Sequence, residues 1–260
     1  MELGLGGLRA IVTGGSKGLG AAIARELVGE GVAVALCARH DQELQATAQA
    51  LRGHGGTVVA TAADVTRPEE VRAFVEQAAR QLGGVDILVN NAGRAHPGSF
   101  ASLTDEDWQA DLDVKLFAQI RCARAALPHL RTSGVGAIIN INAVYGRQPD
   151  PGFFATTVDR AACHALSKAL AMEVARDGVR VNSVNIGFVV TPQWQSVHRR
   201  RAPELSEQEF LRGMAAAEVP MGRFGEPHEV AGMVAFLASR RASYITGASI
   251  DVAGGMGRYV

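Results

Sequence analysis

The chain reads as an α/β protein: a doubly wound parallel sheet of about seven strands, with helices on both faces. Three observations lead there. Short, nearly continuous apolar runs recur along the sequence, as expected of parallel strands covered on both faces. Longer segments of helical period separate them, giving the strand–helix alternation of a doubly wound fold. The first apolar run opens into a glycine-rich loop followed by a helical pattern.

In order, the strand runs are residues 8–12, 32–37, 57–61, 85–90, 137–142, 179–185 and 249–252. The helical segments are 19–29, 42–52, 68–82, 105–130, 154–176 and 227–239. Thr66-Arg67-Pro68-Glu69 and Gly225-Glu226-Pro227 start helices, with proline early and acids in the first turn. No repeat, low-complexity tract or linker divides the chain, so residues 1–260 are expected to form one dinucleotide-binding domain. One long stretch, 191–221, with Pro192, Pro203 and Pro220, reads as irregular. Its place after a strand suggests either a substrate lid or a surface excursion.

Composition removes several function classes. Of 260 residues, 47% are hydrophobic and 20% charged, which speaks against disorder. Lys+Arg and Asp+Glu both number 26, so there is no basic excess for binding nucleic acid. No run of about 18 apolar residues suggests a membrane span. Residues 1–8 lack a cationic start and a long apolar region, and read as a lead-in to the first strand rather than a signal peptide. Cys37, Cys122 and Cys163 form no CxxC pair and lie in apolar stretches, as expected of reduced thiols in a cytoplasmic protein. No cluster has metal-ligand spacing. The only lysines are Lys17, Lys115 and Lys168, in a chain otherwise using arginine.

Thr13-Gly14-Gly15-Ser16-Lys17-Gly18-Leu19-Gly20 places glycines at 14, 18 and 20 between strand and helix. Glycine is needed where the turn is tight and where backbone must approach a pyrophosphate, which the helix N-terminus then holds. An acid at the end of the second strand would bind the ribose of NAD(H). Here stand Ala38-Arg39-His40, and Lys17 sits in the loop, so NADP(H) is favoured over NAD(H). The alternative is that Arg39 is a solvated strand-end charge. Asp64 and Val65 suit the adenine edge, and Asn91, Ala92 and Gly93 a turn close to the cofactor.

These motifs resemble the short-chain dehydrogenase/reductase family. So do Arg180-Val181-Asn182-Ser183-Val184, Gly222-Arg223-Phe224-Gly225-Glu226-Pro227 and Tyr244-Ile245-Thr246-Gly247. The resemblance covers essentially the whole chain. It implies one Rossmann-like domain, cofactor contacts extending to Arg160, Gly187 and Thr191, a small-molecule carbonyl or hydroxyl substrate, and hydride transfer. A homotetramer or dimer is the usual assembly.

The family's reaction uses an Asn, a Ser and a Tyr-x-x-x-Lys pair. By flanking residues, Ala143 falls on the serine, Thr156 on the tyrosine, Arg160 on the lysine and Lys115 on the asparagine. The resemblance thus describes an atypical member lacking all four. A threonine hydroxyl titrates far above working pH, and arginine neither titrates nor replaces lysine. Ordinary ketone reduction is therefore expected to be lost or strongly reduced unless another residue supplies the proton. Ile186 stands where proline is usual, and Ala253 where an acid usually precedes the terminal Gly-Gly.

Lys115 is the foremost candidate. Expected to point into the cleft beside Arg160, it would have a lowered pKa and could act as acid, base, anionic-substrate anchor or Schiff-base amine. The alternative is a helix-surface lysine. Tyr145 could partly replace the missing phenol or simply pack. His96 follows the Gly93 turn, as a pocket residue or an exposed loop histidine. Trp194 and His198 could meet substrate, while Asp159 reads as an ion-pair partner and Lys168 as a solvated helix lysine. Three readings remain: an NADP(H)-dependent oxidoreductase with a relocated proton donor; a non-redox cyclase, lyase, dehydratase or isomerase using Lys115 and Tyr145; or a catalytically silent subunit paired with an active relative in a hetero-oligomer.

Overall fold

A computed structural model describes residues 2–259. All seven expected strands form: β1 (Arg9–Thr13), β2 (Ala33–Ala38), β3 (Val58–Ala62), β4 (Ile87–Asn90), β5 (Ala137–Ala143), β6 (Arg180–Ile186) and β7 (Ser249–Val252). They pair in parallel in the order β3-β2-β1-β4-β5-β6-β7. Strand order reverses between β1 and β4, and their carboxyl ends leave a crevice there.

The helices are α1 (Gly18–Gly29), α2 (Asp41–Gly53), α3 (Pro68–Leu82), α4 (Asp105–Leu112), α5 (Ala118–Ser133), α6 (Phe154–Val174), α7 (Pro192–Arg201), α8 (Glu207–Glu218) and α9 (Pro227–Ala238). Successive strand residues point to opposite faces. Val12, Val34, Leu36, Val89 and Ile139 pack under α1, α2 and α9. Ile11, Ala35, Leu88, Ile138 and Val181 pack under α3, α5 and α6. Two apolar cores therefore flank one sheet, as its continuous runs require.

Two expectations are corrected. The helix expected over 105–130 is interrupted: α4 passes through a π-helical turn at Asp113–Phe117 into α5. The Ala118 amide donates to the Asp113 carbonyl, a five-residue closure. Such insertions recur at functional sites, and this one carries Lys115. Residues 191–221 are not irregular but hold α7 and α8. Pro192 stands at the first turn of α7. Ser206 and Glu209 cap α8 reciprocally: Ser206 Oγ accepts from the Glu209 amide, and Glu209 accepts from the Ser206 amide at 2.9 Å. Prolines outside helix interiors were compatible with both outcomes.

A buried polar ladder fixes α6 against the sheet. Asn90 Nδ2 donates to Asn140 Oδ1 at 2.8 Å, and Asn140 Nδ2 donates to Ser167 Oγ at 2.8 Å. Ser183 Oγ donates to Ser167 Oγ at 3.0 Å. The ladder sets the height of α6, and with it residues 156–160. Truncating its centre by Asn140→Ala strands buried partners. It is expected to cost about 2–3 kcal/mol, read as a lower urea midpoint at unchanged slope.

Candidate functional site

A cleft of about 950 Å³ lies over the carboxyl ends of β1, β4 and β5, reaching α7 and α8. Its first wall is the loop between β1 and α1. Gly14 and Gly18 adopt positive φ, 66° and 57°, which other residues rarely do. A Cβ on Gly20 would collide with the Gly14 carbonyl oxygen. Thr13 Oγ1 accepts from the Asn91 and Ala92 amides at 3.0 Å each. Asn91 Nδ2 donates back to the Thr13 and Gly14 carbonyls at 2.9 and 3.1 Å. The glycine loop and the Asn91–Gly93 turn are thereby one unit. No side chain caps the start of α1, so its first-turn N–H groups are left for an anion.

Gly14, Ser16, Lys17, Gly18, Leu19, Gly20, Arg39, Asp64, Val65, Asn91, Ala92, Gly93, Arg160, Gly187 and Thr191 all line this one cleft. The uncapped helix, the backbone cradle and the cleft's volume fit a dinucleotide. One charge is placed differently from expectation. Lys17 Nζ is paired with Glu43, donating to its two carboxylate oxygens at 3.0 and 2.8 Å. Arg39 is exposed and makes no ion pair among the described residues, so it is the free cation at that end.

At the other end, chemistry gathers beneath the cleft. The inner face of α4 and α5 runs Asp111, Lys115, Ala118, Cys122, Ala126 and Leu130, all buried. Lys115 thus occupies a core position at helical spacing and is 1% exposed. Its ammonium donates to Asp111 Oδ2 and, at 2.7 Å, to Thr156 Oγ1. Burial, with the Arg160 guanidinium second, lowers the Lys115 pKa to about 8, against the attraction of Asp111. A buried cation survives only with such partners.

Thr156 lines the cleft, whereas Lys115 does not. The expectation that Lys115 points into the cleft is corrected: α6 covers it, and it reaches the cleft through the Thr156 hydroxyl. Thr156 Oγ1 also lies 3.4 Å from Asp111 Oδ2. Arg160 lines the cleft, donating from Nη1 to the Ile141 carbonyl at 2.8 Å.

Tyr145 lines the cleft with its ring stacked on Phe153, centroids 5.3 Å apart. Burial pushes its phenol up to about 12, so it holds its proton firmly. His96 is not in the cleft lining. It sits against α4, with Nε2 3.4 Å from Asp107 and Nδ1 3.8 Å from Asp111 Oδ1. Asp159 is not the expected ion-pair partner. It is fully buried, its oxygens meet no hydrogen-bond partner, and burial plus the adjacent Asp111 carboxylate raise it to about 7.

On the covering segment, Trp194 lines the cleft and packs on Phe188 and Phe224 at 4.6 and 5.1 Å. His198 turns away, to the Leu205 carbonyl at 2.8 Å and the Phe210 ring. Lys168 is exposed, 3.4 Å from the Gly247 carbonyl. Asp111 was missed from sequence, although an acid four residues before a lysine on a helical pattern signals a pair on one face. All three cysteines are free and buried. No three metal-ligating side chains converge, and no helix is long and apolar enough to cross a membrane, among the described residues.

Known proteins share this architecture. A family model described as Enoyl-(Acyl carrier protein) reductase matches residues 14–257. The chain is 39% identical over 247 residues to 4-formylbenzenesulfonate dehydrogenase of Comamonas testosteroni, covering 95% of this chain and 96% of the relative. L-Sorbose reductase of Gluconobacter frateurii, solved with NADPH and L-sorbose, superposes with a TM-score of 0.97 at 36% identity, over 100% of both chains. A short-chain oxidoreductase of Pseudomonas aeruginosa PAO1, solved with NADPH and described as containing an atypical catalytic centre, gives 0.91 at 40% identity, over 97% of this chain and 98% of the other. On matches spanning nearly its whole length, the chain belongs to the short-chain dehydrogenase/reductase family.

Proposed function

We propose that this chain is an NADP(H)-dependent oxidoreductase of small-molecule carbonyl or hydroxyl substrates, in which Lys115 supplies the proton through Thr156. The observation carrying this reading is the 2.7 Å hydrogen bond from Lys115 Nζ to the one hydroxyl of that cluster facing the cleft. NADP(H) as cofactor is supported by free Arg39 beside the adenosine end and by the NADPH-bound relatives.

When bound, the nicotinamide supplies the hydride. The chain's residues hold and move the proton. Thr156 Oγ donates its hydrogen to the substrate oxygen as negative charge develops there, while a Lys115 ammonium proton moves onto Oγ. Threonine alone is too weak an acid, but an alkoxide never accumulates when loss and gain are concerted. An amine of pKa about 8 is matched to neutral pH as donor. Tyr145, held by Phe153, orients the substrate oxygen where Ala143 offers no hydroxyl. Arg160 sits between the Gly93 turn and β5, placed for ribose hydroxyls, and its charge keeps the Lys115 amine acidic. The 191–221 segment acts as the lid: α7 and α8 cover the substrate with Trp194 and Met214, and Gln193 Oε1 accepts from the Ala95 amide at 3.2 Å across the opening.

Three outcomes test the reading. Arg39→Ala is expected to weaken NADPH binding about 10–100-fold, measured by nicotinamide fluorescence, with NADH binding unchanged. Lys115→Met and Thr156→Val are each expected to lower kcat for carbonyl reduction about 10²–10⁴-fold with NADPH affinity retained; full activity in either variant removes the relay. In the unmodified protein, reduction is expected to be level at lower pH and to fall through about pH 8, because the ammonium is the donor and is lost as pH rises. Asp159→Asn removes a charge favouring that ammonium, and is expected to move the fall to lower pH.

A further inference from the structure

Each reduction takes one proton from Lys115, and that amine is sealed from water at 1% exposure. It must be recharged from solvent. With substrate and the proposed lid on the cleft side, the other groups around the amine matter. Facing Lys115 are Asp111 on α4, and Thr156, Asp159, Arg160 and Cys163 on α6. Arg160 is a guanidinium, a hydrogen-bond donor only. Cys163 is buried and its thiol is pushed up to about 11 by burial. Asp159 is fully buried and cannot itself reach water.

Asp111 leads outward. Its Oδ2 holds Lys115, while its Oδ1 is buried without a hydrogen-bond partner. Buried Asp159 adjoins the same carboxylate, and on the solvent side His96 faces the orphan oxygen, its Nδ1 likewise buried and unpartnered, 3.8 Å away. Two complementary polar atoms facing each other without a bond are costly, and roughly 1 Å of ring movement closes the gap to hydrogen-bond length. The other ring nitrogen, Nε2, lies 3.4 Å from Asp107, whose side chain is 40% exposed, and the His96 side chain is itself 20% exposed. An imidazole with one nitrogen on an exposed carboxylate and the other on a buried one can take up a proton on one side and release it on the other.

We infer that His96 and Asp111 form a proton inlet to Lys115, entering at the loop that precedes α4 rather than through Thr156. This rests on the proposed role of Lys115. The transfer balances as follows. His96, protonated from water at Nε2 beside Asp107, delivers its Nδ1 proton to Asp111 Oδ1. The resulting carboxylic acid turns its O–H toward the neutral Lys115 amine and restores the ammonium and the carboxylate. His96 is left neutral with its hydrogen on Nε2, and a ring flip that exchanges the two nitrogens resets it for the next proton. No oxidant or co-reactant is needed, and oxidation of an alcohol runs the same path outward. His96 touches neither substrate nor dinucleotide, so it acts only through Asp111.

The chain's few lysines make the inlet directly observable. In full-length protein labelled with ¹⁵N-lysine, only Lys17, Lys115 and Lys168 give ammonium signals, and the two exposed ones serve as fast-exchanging references. Below pH 8 the Lys115 ammonium's hydrogen exchange with water is measured. His96→Ala and His96→Gln are each expected to slow it by about tenfold or more, with Lys115 remaining charged. Added imidazole is expected to restore fast exchange in His96→Ala, where space is left, and not in His96→Gln. Unchanged exchange in both variants, or slowing in His96→Ala that imidazole does not relieve, overturns the inlet. This readout is independent of turnover: a Lys115→Met protein that reduces carbonyls normally would refute the catalytic role of Lys115, while the exchange result would still decide the route.

Discussion

A lysine ammonium buried among two carboxyls, a guanidinium and a threonine hydroxyl constrains everything around it. Taking such a charge from water costs several kcal/mol unless partners replace the solvent. Asp111 and Thr156 are those partners. Arg160 opposes them, and the balance leaves the amine near pKa 8 rather than fully ionised or fully neutral. Asp159 is raised to about 7 by burial and the neighbouring Asp111 carboxylate. Remove one member and the others lose their reason to be there.

The scaffold brings these groups together from separate elements. Asp111 and Lys115 come from α4 and the π-helical turn, and Thr156, Asp159 and Arg160 from the start of α6. The extra residue of the π turn re-aims the inner helical face, so that a polar pair ends a stripe that is otherwise apolar. The Asn90–Asn140–Ser167 ladder sets α6 at the height where Thr156 covers Lys115 yet faces the cleft. The same sheet places the glycine loop across the cleft, where strand order reverses. Cofactor cradle and proposed proton source are thus both positioned by β1, β4 and β5.

Much of this was legible in the residues. Continuous apolar runs placed all seven strands, because burial on both faces leaves no polar alternation to confuse with solvent-facing sheet. The glycine loop was readable because its demands are local: tight turn, close backbone, helix start. Lys115 stands out by its rarity, but its orientation does not. Sequence shows that a lysine stands on a helical face, not that α6 packs over it. Lys17 counts with Arg39 toward NADP(H) in the sequence, yet Glu43, 26 residues along the chain, holds its ammonium. Asp159 looked like an ion-pair partner because Arg160 adjoins it in sequence, yet neighbours on a helix point in different directions. Residues 191–221 read as irregular in the sequence because prolines mark helix starts as readily as loops.

The most direct measurement is a structure of the protein with NADPH and a bound carbonyl compound that it turns over. The account expects the substrate oxygen within about 2.6–3.2 Å of Thr156 Oγ1, with Lys115 still donating to that hydroxyl from beneath. A substrate oxygen held by Tyr145 alone, with Thr156 turned away toward Asp111, would contradict it.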